Sequence, residues 1–132
     1  MIRDWPPIIL WLEAVAFVAF GLAFTLWPLP LGRVMELPLP TATARIDFAA
    51  TYGGFQLGFG AFLWACARRP AWLEPGLWAA AAALAGFAGV RLLSIVLTPG
   101  PPLPRIYGFL ALELSGAALS VWALRQVRRG PA

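Results

Sequence analysis

Lysine, histidine and asparagine are missing altogether from this chain of 132 residues, and cysteine occurs once, at Cys66. Without histidine, and with one thiol, a dedicated zinc, haem or copper site has too few ligands. No metal and no other cofactor is therefore expected. A single cysteine also excludes an intrachain disulfide and a CxxC redox pair. Charge is equally sparse, at 12% of residues, against about 25% in an ordinary soluble domain. Every basic residue is an arginine, and with Ala, Leu and Pro abundant this usage fits a GC-rich coding bias better than a function. What the chain does have is apolar surface: 61% hydrophobic residues and a mean hydropathy of +0.76. Long apolar runs account for the excess, so the chain reads as one integral membrane domain with no room for a separate soluble one.

A net charge of +4 raises the question of nucleic acid. The arginines lie mostly at the ends of apolar runs and not along one soluble face, so nucleic acid is excluded as a partner. Orientation in a bilayer explains them instead. Four runs reach the length of about 20 residues that a hydrocarbon core requires: residues 8–27, 46–67, 76–98 and 104–124. Proline-rich connectors separate them (WPLPLGRVMELPLPTATAR, RRPAWLEP and TPGPPLPR), and proline cannot continue a helix. Trp5, Trp27, Trp72 and Trp122 fall near the predicted boundaries, where amphipathic rings prefer to sit. The expected fold is all-α, an integral membrane four-helix bundle. The first run is expected to be a retained helix, because it ends about fifteen residues before the Ala42-Thr43-Ala44 box that would resemble a cleavage site.

With four spans, Arg3, Arg68, Arg69, Arg125, Arg128 and Arg129 share one side and Arg33, Arg45 and Arg105 the other. That bias predicts N- and C-termini in the cytoplasm and a multi-pass protein of the cell inner membrane. The connector 28–45 then lies outside, as a proline-fixed loop on the lipid headgroups or a lid over the bundle mouth.

The stretch RIDFAATYGGFQLGFG, residues 45–60, is apolar and glycine-rich yet carries Arg45, Asp47, Tyr52 and Gln56. At about 1.5 Å per residue from the outer helix ends, Asp47 is at the surface, Tyr52 about 9 Å deep and Gln56 about 15 Å deep. Arg91 lies about 10 Å and Glu113 about 13 Å deep on the same scale, while Glu13, about 21 Å in, is nearer the cytoplasm. Arginine cannot shed its charge and is costly at mid-membrane. An Arg91–Glu113 ion pair is the expected solution, with Tyr52 and Gln56 supplying further hydrogen bonds. Gly54 and Gly58 form a GxxxG step on nearly the opposite side of the second helix, with Gly53 and Gly60 between. Together with Gly86, Gly89 and Gly116 these are the expected helix-packing positions, since small residues let backbones approach in lipid.

Glu13 in the first helix, R-x-x-x-x-x-x-Y-G-G at Arg45, Tyr52, Gly53 and Gly54, G-x-R at Gly89 and Arg91, and Glu113 in the last helix resemble a family of small bacterial membrane proteins grouped as domain of unknown function 4345, with DoxX-like four-helix proteins as relatives. The resemblance covers nearly the whole chain. It implies a four-helix bundle with these polar residues inside, and it implies no reaction. DoxX-like relatives are linked to membrane redox systems, for which Cys66 alone offers no thiol pair. Small multidrug-resistance transporters also place a Glu in their first helix, but an internal arginine would repel their cationic substrates.

The function expected is that of a small membrane protein binding a small molecule or lipid head group at a polar site centred on Arg91 and Glu113. Arginine would favour an anionic ligand, and transport of that ligand is an extension of the same reading. The alternative is an accessory or scaffold subunit, a homo-oligomer or a partner of another membrane protein, in which the polar cluster is purely structural. No nucleophile motif, metal motif or histidine supports an intramembrane enzyme.

Overall fold

The computed structural model describes residues 5–129; Arg3, counted above for orientation, lies outside them. The described residues are helical, without strands. Helix α1 spans Trp5–Leu26, α2 Pro28–Val34, α3 Ala42–Phe48, α4 Phe55–Ala67, α5 Leu73–Leu97 and α6 Pro104–Arg129. A π-helical segment, Ala49–Gly54, joins α3 to α4, and a 3-10 turn, Pro70–Trp72, leads into α5. Three helical stretches, Trp5–Leu26, Pro70–Leu97 and Pro104–Arg129, are long and apolar enough to cross a membrane.

Boundaries follow caps more closely than they follow hydropathy. α1 starts three residues before the expected Ile8, because Pro6 and Pro7 occupy a first turn whose N–H groups need no helical partner. α5 starts at Leu73 instead of Gly76, with Glu74 in a first turn that favours a negative charge. α6 runs on to Arg129, past the apolar run that ends at Leu124, and its last turn carries Arg128 and Arg129 where the helix dipole favours cations. The connector expected as a loop over 28–45 is partly helical. Pro28 opens α2 at its first position, where a preset φ costs nothing. α2 ends in a double reverse bond, Glu36 N–H to Arg33 O at 3.0 Å and Leu37 N–H to Gly32 O at 2.8 Å. Glu36 takes the left-handed position of that motif with φ +57°. Thr41 then caps α3, its hydroxyl accepting from Ala44 N–H at 3.1 Å.

Residues fall into two compact units, Trp11–Ala65 and the remainder, 1–10 with 66–132. In the second of these, α5 and α6 form an antiparallel hairpin. Its open end carries the Arg128–Glu74 bridge, 2.7 Å, with Arg128 also 5.3 Å from the Trp78 ring centroid. Trp5 stacks on Trp122 at 3.8 Å, and Arg69 stands 4.4 Å from the Trp72 ring. This arginine–tryptophan collar has the composition of a membrane–water interface. Gly76 is crossed by Leu10 and Cys66, so the buried Cys66 acts as a small apolar packing group.

In Trp11–Ala65, α1 lies close against the π segment and α4. A Cβ on Gly53 would strike the Thr25 hydroxyl, with Gly21 O and Thr25 N at 3.1 Å. One on Gly60 would reach Val18 Cγ2 at 2.8 Å and Ala14 O at 3.1 Å. Thr25 turns its hydroxyl onto Gly21 O, 2.8 Å, which satisfies it locally at this tight crossing. Within this unit the close contacts are those of Gly53 and Gly60, while the Gly54/Gly58 step lies on an open face. Among the described residues nothing lies within 4 Å of a Cβ on Gly54 or Gly58, nor on Gly86 or Gly89. Spacing shows which residues share a face; the face that packs is the one whose partner also presents small residues, here Ala14 and Gly21.

Gly53→Ala and Gly60→Ala should each destabilise the protein by about 1–3 kcal/mol through overpacking against backbone. Gly58→Ala should instead stabilise it by about 0.5–1 kcal/mol, as alanine in an open helical position. Chemical unfolding in micelles, followed by circular dichroism, measures all three; equal losses at Gly58 and Gly60 would contradict this packing.

Candidate functional site

Arg91 and Glu113 sit in the facing helices of the α5–α6 hairpin. Arg91 is six residues before the end of α5, about 9 Å of helix, and Glu113 nine residues into α6, about 13 Å. An antiparallel hairpin brings positions so counted to nearly one level. Arg91 Nε donates to Glu113 Oε2 at 2.8 Å and Nη2 to Oε1 at 2.6 Å. This is the two-pronged fork that matches a planar guanidinium to a carboxylate. The side chain of Glu113 is 11% exposed and that of Arg91 27%. Both carboxylate oxygens are thus occupied, whereas Nη1 enters neither bond and the arginine side chain keeps part of its surface exposed.

Phe109 completes the arrangement, its ring centroid 5.5 Å from Arg91 Cζ, a distance at which the aromatic face attracts the cation. Sequence alone did not single it out. The signal was available, because Phe109 precedes Glu113 by four residues and so shares its helix face. On the following turns of that face Ser120 is buried, with Ala123 and Leu124 beyond it.

The other candidates belong to the unit Trp11–Ala65. Tyr52 lies in the π segment, its ring 4.9 Å from Phe48 and 5.8 Å from Phe24, and stays 38% exposed. Gln56 is half-buried near the start of α4, and Asp47 is exposed in α3. Glu13 is buried on α1, as are Ala14 and Phe17 of the same unit. Arg45, exposed, donates from Nε to Leu39 O at 3.3 Å and lines a cavity shaped by residues 29–45. Arg91 and Glu113 are therefore brought together within one unit, and Tyr52 with the aromatic residues of the other. The π segment was not foreseen. It is marked by Phe55 N–H bonding back to Ala50 O, five residues earlier. One-turn π segments inside α-helices often accompany functional positions, and the adjacent Gly53 and Gly54 were its available clue.

Chemically, the Arg91–Glu113 fork can hold charge and orient hydrogen bonds. No group of three or more His, Cys, Asp or Glu able to hold a metal occurs among the described residues. The chain belongs to the family described as Domain of unknown function (DUF4345), whose model matches residues 7–124. No curated protein matches it, and no solved structure does.

Arg91→Leu or Glu113→Gln alone should cost about 3–5 kcal/mol, since each strands a partner in apolar surroundings. Arg91→Leu/Glu113→Leu should cost much less than the two losses added. A double-mutant cycle by unfolding in micelles reads this coupling, and additive losses would show that the two groups do not stabilise each other.

Proposed function

We propose that this is a small integral membrane protein that binds a small molecule or lipid head group bearing an acidic or phosphate group at Arg91. Transport of that ligand is an extension of the reading. The observation that carries it is an arginine within an apolar hairpin, anchored through Nε and Nη2 by a fully engaged carboxylate, with Nη1 outside that fork and its side chain partly exposed. An ionisable group at such depth is costly unless it serves a purpose, and guanidinium is well matched to carboxylate or phosphate.

A fourth span belongs to this proposal. Backbone hydrogen bonding runs helically from residue 42 to residue 67 through the π segment, which is long enough to cross a hydrocarbon core. Four spans form the membrane bundle and return both termini to the cytoplasmic side, with Arg68, Arg69, Arg125, Arg128 and Arg129 there. A bacterial inner membrane and a DoxX-like relationship go with this assignment.

A second reading has its own support. Both oxygens of Glu113 are taken by Arg91, as a purely structural staple between α5 and α6 would require. The exposed Gly86 and Gly89 on α5 would then serve a second copy or another membrane protein in a scaffold or accessory role.

Native mass spectrometry of the detergent-purified protein, beside Arg91→Leu/Glu113→Leu, separates the two. A co-purifying acidic or phosphate-bearing molecule, lost from a well-folded double variant, is the expected result. A bare wild type with an equally folded and equally oligomeric variant would leave the staple. Topology is tested by fusing alkaline phosphatase or green fluorescent protein to the C-terminus and, separately, to the N-terminus. Both termini should report the cytoplasm, whereas three spans would place them on opposite sides.

A further inference from the structure

We propose that the open cavity formed between α2 and the chain leading into α3 is a separate site for a phosphate-bearing anion, held by the exposed Arg33 and Arg45. The cavity is open and has a volume of about 550 Å³. Its polar lining consists of Arg33, Arg45 and Glu36, and its apolar walls include Leu29, Leu37 and Leu39. Two guanidiniums against one carboxylate leave the lining with one net positive charge, the complement of a phosphodiester. Arginine presents paired N–H groups to phosphate oxygens, so two of them around one cavity can clamp a single head group.

The site is built and not merely lined. Arg45 Nε donates to Leu39 O at 3.3 Å, which ties its side chain to another residue of the lining. Leu37 and Arg33 are set by the reverse bonds that close α2, around the left-handed Glu36. Pro38 and Pro40 stiffen the wall between them. Buried Gly32 lets this segment fold back closely, since a Cβ there would strike Leu39 Cδ1 at 2.7 Å. Position supplies the ligand's chemistry. The segment connects the end of the apolar helix α1 to the helix beginning at Ala42, with Trp27 exposed beside it. That is the depth at which lipid phosphates lie, and the leucine walls would accept the glycerol and first methylenes of a lipid. The site depends on the membrane placement of the flanking helices and is independent of the Arg91–Glu113 site.

The test uses the full chain in micelles, with phosphatidylglycerol, phosphatidylcholine and soluble glycerol 3-phosphate as probes. Lipid retention is read by native mass spectrometry and the soluble probe by calorimetry. Phosphatidylglycerol should be retained over phosphatidylcholine. Arg33→Gln and Arg45→Gln should each weaken its binding about five-fold, and the pair about 25-fold, as expected for roughly one cationic contact apiece near an anionic headgroup. Lysine at both positions should recover only part of the affinity, because an ammonium keeps the charge and loses the fork. In an Arg91→Leu/Glu113→Leu background, which removes the proposed internal site, the Arg33 and Arg45 substitutions should weaken retention by the same factors, which separates the two sites. Glycerol 3-phosphate binding with the same arginine dependence would support the site and identify a soluble ligand. Equal retention of both lipids, indifferent to the arginine substitutions in protein of unchanged helicity, overturns it.

Discussion

A permanently charged guanidinium within apolar helices leaves the chain few options, and the rest of the α5–α6 hairpin is arranged around the one it takes. Arg91 cannot lose its proton, so it must be met by a carboxylate with matching geometry. Glu113 does this with both oxygens, at 2.6 and 2.8 Å. That requirement fixes which helix neighbours α5 and at what register. The connection through residues 98–103 is short and proline-rich, which permits only a tight return. The hairpin's other end is tied independently by Arg128 and Glu74 and framed by stacked tryptophans. With each end tied, sliding one helix past the other would break charge pairs at both levels.

A different constraint governs the unit built from residues 11–65. There it is closeness of approach, made possible by Gly53 and Gly60 against Ala14, Gly21 and Thr25. For helices that pack within lipid, as proposed for this chain, there is no hydrophobic drive to associate and contact area at short range matters more than in water. The π segment lies at this crossing and carries Tyr52 into the cluster with Phe24 and Phe48. An extra residue in a helical turn rotates the succeeding residues by about 100° relative to an uninterrupted α-helix. The tyrosine and the residues of α4 are aimed differently from what a single unbroken helix would give.

These two constraints bear on function in opposite ways. The Arg–Glu fork has the geometry of a staple, and the anion site proposed at Arg91 rests on the part of that side chain left exposed. Family membership adds no reaction to this picture. Both proposed sites rest on arginines: Arg91, held inside the hairpin, and Arg33 and Arg45, around the cavity of the 28–45 segment. All three present the same chemistry, planar donors suited to oxyanions.

Composition and run length alone determined that the chain is helical and built of apolar segments, because a missing lysine–glutamate surface and four long runs have few other outcomes. The Arg91–Glu113 partnership was also legible, since matching depth and opposite charge are properties of position along the chain. Segment ends were less so: Thr41, Pro28 and the reverse bonds at Glu36 set them by capping, which hydropathy does not register. Tertiary structure alone decided which glycines pack. Gly54 and Gly58 have the better-known spacing, but Gly53 and Gly60 face a helix with small residues to receive them. The cavity at Arg33 and Arg45 likewise depended on the chain turning back on itself at Gly32 and Glu36. A close approach is a property of two surfaces at once, and one strand of sequence displays only one of them.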